Sequence, residues 1–146
     1  MAKLNGQYLQ VQIDDSGAVL RDVSKDVNSV DIPDEYGELD ATGFTDGAVR
    51  SIAGMPSFPV EIAGDFDATA LSLYQVLKGI VGQSAVSKTL TIDVGQGALP
   101  TTGDPRFTGE FWCSKLNIAA TPQGKLTIAA SMRPTTSTAP GWTTKP

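Results

Sequence analysis

Residues 7–13, Gln-Tyr-Leu-Gln-Val-Gln-Ile, place apolar and polar side chains in alternation. Leu9, Val11 and Ile13 share one side of an extended chain, and polar side chains occupy the other. This is the pattern of a β-strand with one buried and one solvated face. The turn residues Asp14-Asp15-Ser16-Gly17 follow at once, so we expect Ala18–Val23 to return as the second strand of a hairpin.

The same strand pattern recurs along the chain between residues typical of turns. Further strands are predicted at Val27–Ile32, Glu38–Thr45, Phe58–Phe66, Lys88–Val94, Arg106–Ala120 and Lys125–Arg133. The 15 glycines and 9 prolines suit short strands joined by many turns. We therefore predict a mainly β fold, a β-sandwich or partly closed barrel of about seven or eight strands.

One segment has a different period. Between residues 68 and 80, apolar side chains recur every three or four positions, which predicts a single α-helix flanking the sheet. Asp67 precedes this segment, and we expect its carboxylate to cap the helix N-terminus.

The chain is expected to form one domain over residues 1–134, followed by a C-terminal tail at residues 135–146. The tail is rich in Thr and Pro and lacks core periodicity. No apolar run is long enough to span a bilayer, and the first residues lack the apolar centre of a secretory signal. We expect synthesis in the cytoplasm and no membrane contact.

The composition argues against an enzyme. The chain has no His and a single Cys, Cys113, which excludes His-dependent triads, Cys–His pairs and structural zinc sites. Asp65-Phe66-Asp67 has the spacing of a metal-binding acid pair, but no acid cluster supports it. Gly95-Gln96-Gly97 lacks the Lys-Ser/Thr and helix of a phosphate loop. We expect no catalytic residue, metal, cofactor or small-molecule substrate.

Charge is unevenly distributed along the chain. Residues 1–67 carry a net charge of −9, and residues 68–146 carry +4. Six acids and no base lie within one short stretch: Asp26, Asp31, Asp34, Glu35, Glu38 and Asp40. They form either a solvated loop or an acidic face that repels polyanions or meets a basic face on a neighbour. A basic patch of the kind that binds DNA is missing.

Residues 46–57 are predicted to form a long loop that is unusually apolar, because it contains Val49, Ile52 and Met55. Loops lie on the surface and are normally polar. Either this loop folds back on its own core, or it inserts into a partner subunit.

Three stretches occur in a characteristic order: Asp40-Ala41-Thr42-Gly43-Phe44-Thr45-Asp46-Gly47, Ile52-Ala53-Gly54-Met55-Pro56 and Val60-Glu61-Ile62-Ala63-Gly64-Asp65-Phe66-Asp67. Later, Gly103-Asp104-Pro105-Arg106-Phe107-Thr108-Gly109 leads into Phe111–Ala120. Together these stretches resemble the major tail protein, or tail tube protein, of long-tailed bacteriophages, over about residues 7–134.

The resemblance implies a structural subunit of a virion tail. Six copies would join into a ring, and rings would stack into a hollow tube through which DNA passes without specific binding. The implied partners are further copies of the chain and other tail proteins. The long loop would contact a neighbouring subunit through Val49, Arg50, Ile52, Met55 and Phe58. The six acids would line the lumen or form a stacking face.

Two other interpretations stay open. The first is another virion component: a tail terminator, which would stop at one ring, or a capsid decoration protein, which would bind preformed capsids. A monomeric β-sandwich carbohydrate-binding module would use Trp112 or Trp142 as a platform for sugars. Trp112 lies in an apolar run, however, and is expected in the core.

Overall fold

A computed structural model of the chain describes residues 6–136 and 138–146. In this part of the chain a short 3-10 turn, Gly6–Tyr8, precedes ten strands and one α-helix. The strands are β1 (Leu9–Asp14), β2 (Leu20–Asp22), β3 (Val27–Asp31), β4 (Glu35–Asp40), β5 (Ser51–Ser57), β6 (Val60–Asp65), β7 (Lys88–Val94), β8 (Pro105–Ala119), β9 (Thr127–Pro134) and β10 (Gly141–Thr144), and the helix is α1 (Leu73–Ile80).

Eight of the strands form one antiparallel sheet in the order β2-β1-β7-β8-β9-β6-β3, with β10 also paired to β8. The long strand β8 organises this sheet, since β7 and β10 pair with its first half and β9 pairs with its second half. Strands β4 and β5 form a separate two-stranded sheet. The predicted mainly β fold with a single helix is confirmed, and the sheet does not close into a barrel.

The core lies between the helix and the inward face of the sheet. Alternate strand residues and one stripe of α1 meet there, and the largest fully buried side chains include Ile13, Leu90, Ile92, Phe107, Phe111, Met132, Leu73, Leu77 and Ile80. Phe107 lies at the centre, with ring centroids 5.9 Å from Phe58 and 6.1 Å from Phe111. Apolar side chains that repeat about every 3.6 residues along the helix and every two residues along the strands are buried in the same layer.

The helix begins later than predicted, and the prediction that Asp67 caps it is wrong. Ser72 is the N-cap residue, and its Oγ accepts a hydrogen bond from the Gln75 N–H at 3.4 Å. Asp67 instead accepts the Thr69 N–H at 2.9 Å, one turn before the helix. Residues 68–72 are therefore a turn whose hydrogen bonds lead into α1.

A second hydrogen-bond acceptor for the free N–H groups at the helix N-terminus comes from a distant part of the chain. The buried carboxylate of Asp26 accepts the Leu73 N–H at 3.1 Å. The backbone of Asp26 also pairs with β6, because its carbonyl accepts the Asp65 N–H at 2.8 Å. Gly64 makes this approach possible, since a Cβ there would collide with the Asp26 carbonyl oxygen.

Two segments that the sequence presents as irregular are strands. Residues 51–57 belong to β5 and not to a loop. Within the predicted tail, residues 141–144 form β10 and place Trp142 on Phe107, with ring centroids 5.5 Å apart. Trp112 is not in the core, because it pairs with Arg133 on the face opposite to Phe111 and Cys113.

Candidate subunit interface

Strands β4 and β5 form a hairpin that stands apart from the rest of the fold. The two strands pair antiparallel, with Leu39 opposite Ile52 and Asp40 opposite Ser51. All six residues of β4 are exposed, and in β5 only Gly54 is half-buried. The hairpin therefore has no buried face within its own chain.

The hairpin nevertheless carries large apolar side chains in contact with solvent. They are Tyr36, Leu39, Phe44, Val49, Ile52 and Met55, of which Phe44, Val49 and Met55 are 86% exposed or more. Single exposed apolar residues are ordinary, but several on one exposed element indicate a protein–protein contact or an aggregation liability. The sequence-based choice of Val49, Ile52 and Met55 thus falls on exposed side chains of one element.

Local hydrogen bonds fix the tip of the hairpin. The Ala41 N–H donates to the Arg50 carbonyl at 2.9 Å, and the Arg50 guanidinium donates back to the Ala41 carbonyl at 2.9 Å. The Asp46 carboxylate accepts the Gly43 N–H at 2.7 Å. Arg50, which the sequence offers to a partner, is therefore already used in part to close this connection. The tip presents Phe44 and Val49 from a defined backbone.

Two acids of the hairpin lie on the face opposite to its central apolar pair. Glu38 and Asp40 are two residues apart on β4 and so share one side, whereas Leu39 and its partner Ile52 share the other. The pKa of Asp40 lies below its ordinary value because the carboxylate accepts hydrogen bonds from Thr42. The end of the hairpin nearest its tip is thus amphipathic, with Glu38 and Asp40 on one side and Leu39 and Ile52 on the other.

Two of the sequence-predicted residues do not belong to this surface. Phe58 is 6% exposed and packs in the core, so its predicted role in the interface loop is wrong. Asp26 is buried against the start of α1, which removes it from the predicted acidic face. The other five acids, Asp31, Asp34, Glu35, Glu38 and Asp40, are exposed along the end of β3 and through β4.

A buried ionic cluster that sequence reasoning missed holds the C-terminal strand. The Asp93 carboxylate is fully buried and accepts two hydrogen bonds from the Arg106 guanidinium, at 2.6 and 3.0 Å. Lys145, next to β10, lies 3.4 Å from the same carboxylate. The only sequence signal was an acid at an outward position of one strand and a base at an outward position of the next.

Two of the features considered in the sequence, a metal-ligand cluster and a reactive thiol, can be compared with the described residues. Among residues 6–136 and 138–146 there is no group of three or more potential metal ligands. Burial raises the pKa of the Cys113 thiol, which disfavours the reactive thiolate. Within the same ranges no helix is long and apolar enough to cross a membrane.

The sequence matches no protein-family model and no curated protein. The fold, however, is close to several solved structures. A chain from the tail of an empty gene transfer agent particle, refined with C6 symmetry, superposes with a TM-score of 0.71 at 16% identity, covering 97% of this chain and 99% of that one.

Two further structures come from an extracellular contractile injection system, PVC. A chain of its sheath/tube terminator in the extended state gives a TM-score of 0.71 at 11% identity, covering 98% of both chains. A chain of its sheath–tube complex gives 0.63 at 14% identity, covering 98% of this chain and 93% of that one. The chain therefore has the fold of phage-tail-like tube proteins.

Proposed function

We propose that the protein is a structural subunit of a tail tube, which forms rings of six copies that stack into a hollow conduit for DNA. The observation that carries this proposal is the β4–β5 hairpin, an ordered element whose apolar side chains find no cover within the described chain. The similar fold of a tail refined with C6 symmetry supports the number of copies.

The exposed apolar side chains of the hairpin are the main contact with a neighbouring copy. Covering a side chain such as Phe44 or Met55 with a partner contributes about 2 kcal/mol. The tip is already ordered by hydrogen bonds between Ala41 and Arg50, so little further conformational entropy is lost on docking. A closed ring of this kind also covers an exposed apolar surface that would otherwise aggregate.

The exposed acids of β4 and of the residue before it serve ring stacking. Asp34, Glu35, Glu38 and Asp40 follow the exposed end of β3, whereas residues 68–146 carry the net positive charge. Lys115 and Lys125, near the turn between β8 and β9, are exposed and basic. Opposite charges on two surfaces favour a head-to-tail stack and steer its encounter.

A tube terminator is the second candidate, because a chain of the PVC sheath/tube terminator matches as well as the gene transfer agent tail does. The two functions differ in how far assembly proceeds. A tube subunit adds ring upon ring, and a terminator stops at a single ring. The fold alone is compatible with both.

Negative-stain electron microscopy of the purified protein tests the proposal. We expect tubes across a range of protein concentrations, whereas single rings that never stack would select the terminator. A protein that stays monomeric at every concentration and ionic strength would refute both.

A set of variants tests whether the hairpin forms the contact between subunits. The triple variant Phe44→Ser, Val49→Ser, Met55→Ser should remain monomeric. The matched control is Leu99→Ser, which removes a side chain that is 75% exposed outside the hairpin and should still assemble. Equal assembly of both variants would show that the hairpin is not the contact.

A further inference from the structure

The tip of the β4–β5 hairpin contains the only Asp-Gly pair of the sequence, Asp46-Gly47. Both residues are exposed and lie in the irregular connection between the two strands. An aspartate followed by glycine is open to a specific backbone reaction, in which the glycine nitrogen attacks the aspartate side chain. Glycine favours this attack because it has no Cβ to shield the nitrogen. The structure of the tip affects both reacting groups.

The nucleophile is the Gly47 backbone nitrogen, which is neither hindered nor bonded. Among the described residues no acceptor receives the Gly47 N–H. A Cβ at this position would meet no described atom within 4 Å. An amide that is paired in a helix or sheet would lose its hydrogen bond on attack, and this loss opposes the reaction. Gly47 has no such bond to lose.

The electrophile is the side-chain carbon Cγ of Asp46, and two donors polarise it from one side. The Gly43 N–H donates to Oδ2 at 2.7 Å, and Nε of Arg50 lies 3.9 Å from the same oxygen. Donors beside an oxygen that gains negative charge during attack stabilise the tetrahedral intermediate. The second oxygen, Oδ1, has no partner in the described part of the chain, so it is the oxygen that can leave.

The backbone of Asp46 lets the two groups meet. The Asp46 N–H donates to the Gly43 carbonyl at 3.1 Å, whereas no hydrogen bond within the described ranges holds the Gly47 N–H. Rotation about the Cα–C bond of Asp46 therefore moves the Gly47 nitrogen toward Cγ without breaking the bond to Gly43. The distance to cover is short, because only covalent bonds of these two residues separate the atoms.

We propose that Asp46-Gly47 is a site of spontaneous isomerisation to isoaspartate, which limits how long an unassembled subunit keeps a competent hairpin. The Gly47 nitrogen bonds to Cγ of the protonated carboxyl, and its proton leaves with the Oδ1 hydroxyl as water. The product is a cyclic imide. Water then adds to the former backbone carbonyl of Asp46, whose bond to the Gly47 nitrogen breaks. The two steps release and consume one water and need no oxidant, reductant or enzyme.

Isomerisation changes the covalent course of the tip. The carboxyl group that accepts the Gly43 N–H becomes part of the main chain. One methylene is added to the backbone between Gly43 and Arg50. The contacts that fix the tip no longer fit, so Phe44 and Val49 lose their defined positions. This consequence rests on the proposed function, because it affects assembly only if a neighbouring copy contacts the hairpin.

Peptide mapping of aged protein tests the site. The purified subunit is kept dilute and unassembled at neutral pH for several weeks, and isoaspartate is located by electron-transfer fragmentation, since its mass equals that of aspartate. The matched variant is Gly47→Ala, whose methyl group shields the nitrogen. Residue 47 has no positive φ and free space around it, so the variant should fold normally. We expect isoaspartate at residue 46 to accumulate in the wild type and to be nearly absent from the variant.

Three results would overturn the assignment. The first is no isoaspartate at residue 46 in the aged wild type, and the second is an equal amount in Gly47→Ala. The third is an equal amount at Asp15, which precedes Ser16 in another turn and has both carboxylate oxygens bonded. Equal reaction there would show that the structure of the tip does not direct the chemistry.

Assembly of the aged protein tests the consequence. Aged wild-type subunits should form fewer tubes than fresh ones, in proportion to their isoaspartate content, whereas aged Gly47→Ala should assemble like fresh protein. Equal assembly of fresh and isomerised wild type would overturn the consequence for the hairpin. Failure of the fresh wild type to form any ring or tube would instead refute the proposed function, and the peptide map would still decide the site.

Discussion

The β4–β5 hairpin and the C-terminal segment around β10 are both peripheral to the core, but different interactions fix them. The hairpin is held by pairing between its own strands and by hydrogen bonds at its tip. β10 pairs with β8, places Trp142 on Phe107 and leads to Lys145, which contacts the buried Asp93.

The apolar and charged side chains of the two regions therefore have different roles. Those of the C-terminal segment are directed into the chain's own sheet, where they contribute to the stability of the subunit. Those of the hairpin point outward, where they contribute only once a partner is present. We therefore expect substitutions in the C-terminal segment to change the stability of the subunit, and substitutions in the hairpin to change its assembly. Both expectations can be tested.

The largest effect is expected from Asp93→Ala. This change leaves Arg106 and Lys145 without their shared carboxylate, and breaking a buried ion pair in this way costs about 3–5 kcal/mol. Urea denaturation should show the loss in the free energy of unfolding. Asp40→Ala, on the exposed hairpin, is the control and should change stability little. Equal losses in the two variants would remove the distinction between the regions.

A smaller loss is expected from Trp142→Ala. Trp142 remains 52% exposed, but its ring packs on Phe107, and losing this contact should cost about 1–2 kcal/mol. Thermal denaturation should show a lower midpoint. Trp142→Phe keeps an aromatic ring and should recover most of the loss. A midpoint unchanged by Trp142→Ala would show that β10 does not stabilise the subunit.

The strands that pack on the core could be predicted, and the peripheral ones could not. Lys88–Val94 alternates apolar Leu90, Ile92 and Val94 with polar Thr89, Thr91 and Asp93, so its bounds were correct. β5 contains Gly54 and Pro56, and both of its faces are exposed, so no alternation marks it. β10 has only four residues in a segment rich in Thr and Pro, and its pairing partner lies more than 30 residues earlier.

The site was predictable only in part, for a similar reason. The apolar residues of segment 46–57 were visible because they violate the usual polarity of loops. The role of Asp26 depends on a hydrogen bond to a residue 47 positions later, which no local pattern reveals. The buried ion pair of Asp93 and Arg106 requires the register of β7 and β8, because only strand pairing brings these two residues side by side.

The loss of folding stability at acidic pH should also differ between the buried Asp93 and the exposed acids of the hairpin. Burial alone would raise the pKa of Asp93, but the hydrogen bonds and charges of Arg106 and Lys145 lower it below its ordinary value. A carboxylate with a lowered folded-state pKa stabilises the fold above about pH 4, and this contribution is lost as the pH falls through the folded-state pKa.

Asp93→Asn removes this titration. Between about pH 5 and pH 2, urea midpoints should therefore fall less steeply for the variant than for the wild type. Asp34→Asn, just before β4, is the control for a carboxylate exposed to solvent. Parallel acid limbs for wild type and Asp93→Asn would show that the buried cluster is not linked to folding.

The smallest effect on stability is expected in the hairpin itself. In Phe44→Ser, Val49→Ser, Met55→Ser, the free energy of unfolding should stay within about 0.5 kcal/mol of the wild-type value, because surface substitutions away from packed groups cost little. The measurement must be made on dissociated subunits, since assembly stabilises the folded state by mass action. A loss as large as that of Trp142→Ala would mean that the hairpin packs on its own chain. In that case its apolar residues would serve the subunit and leave nothing for a neighbour to cover.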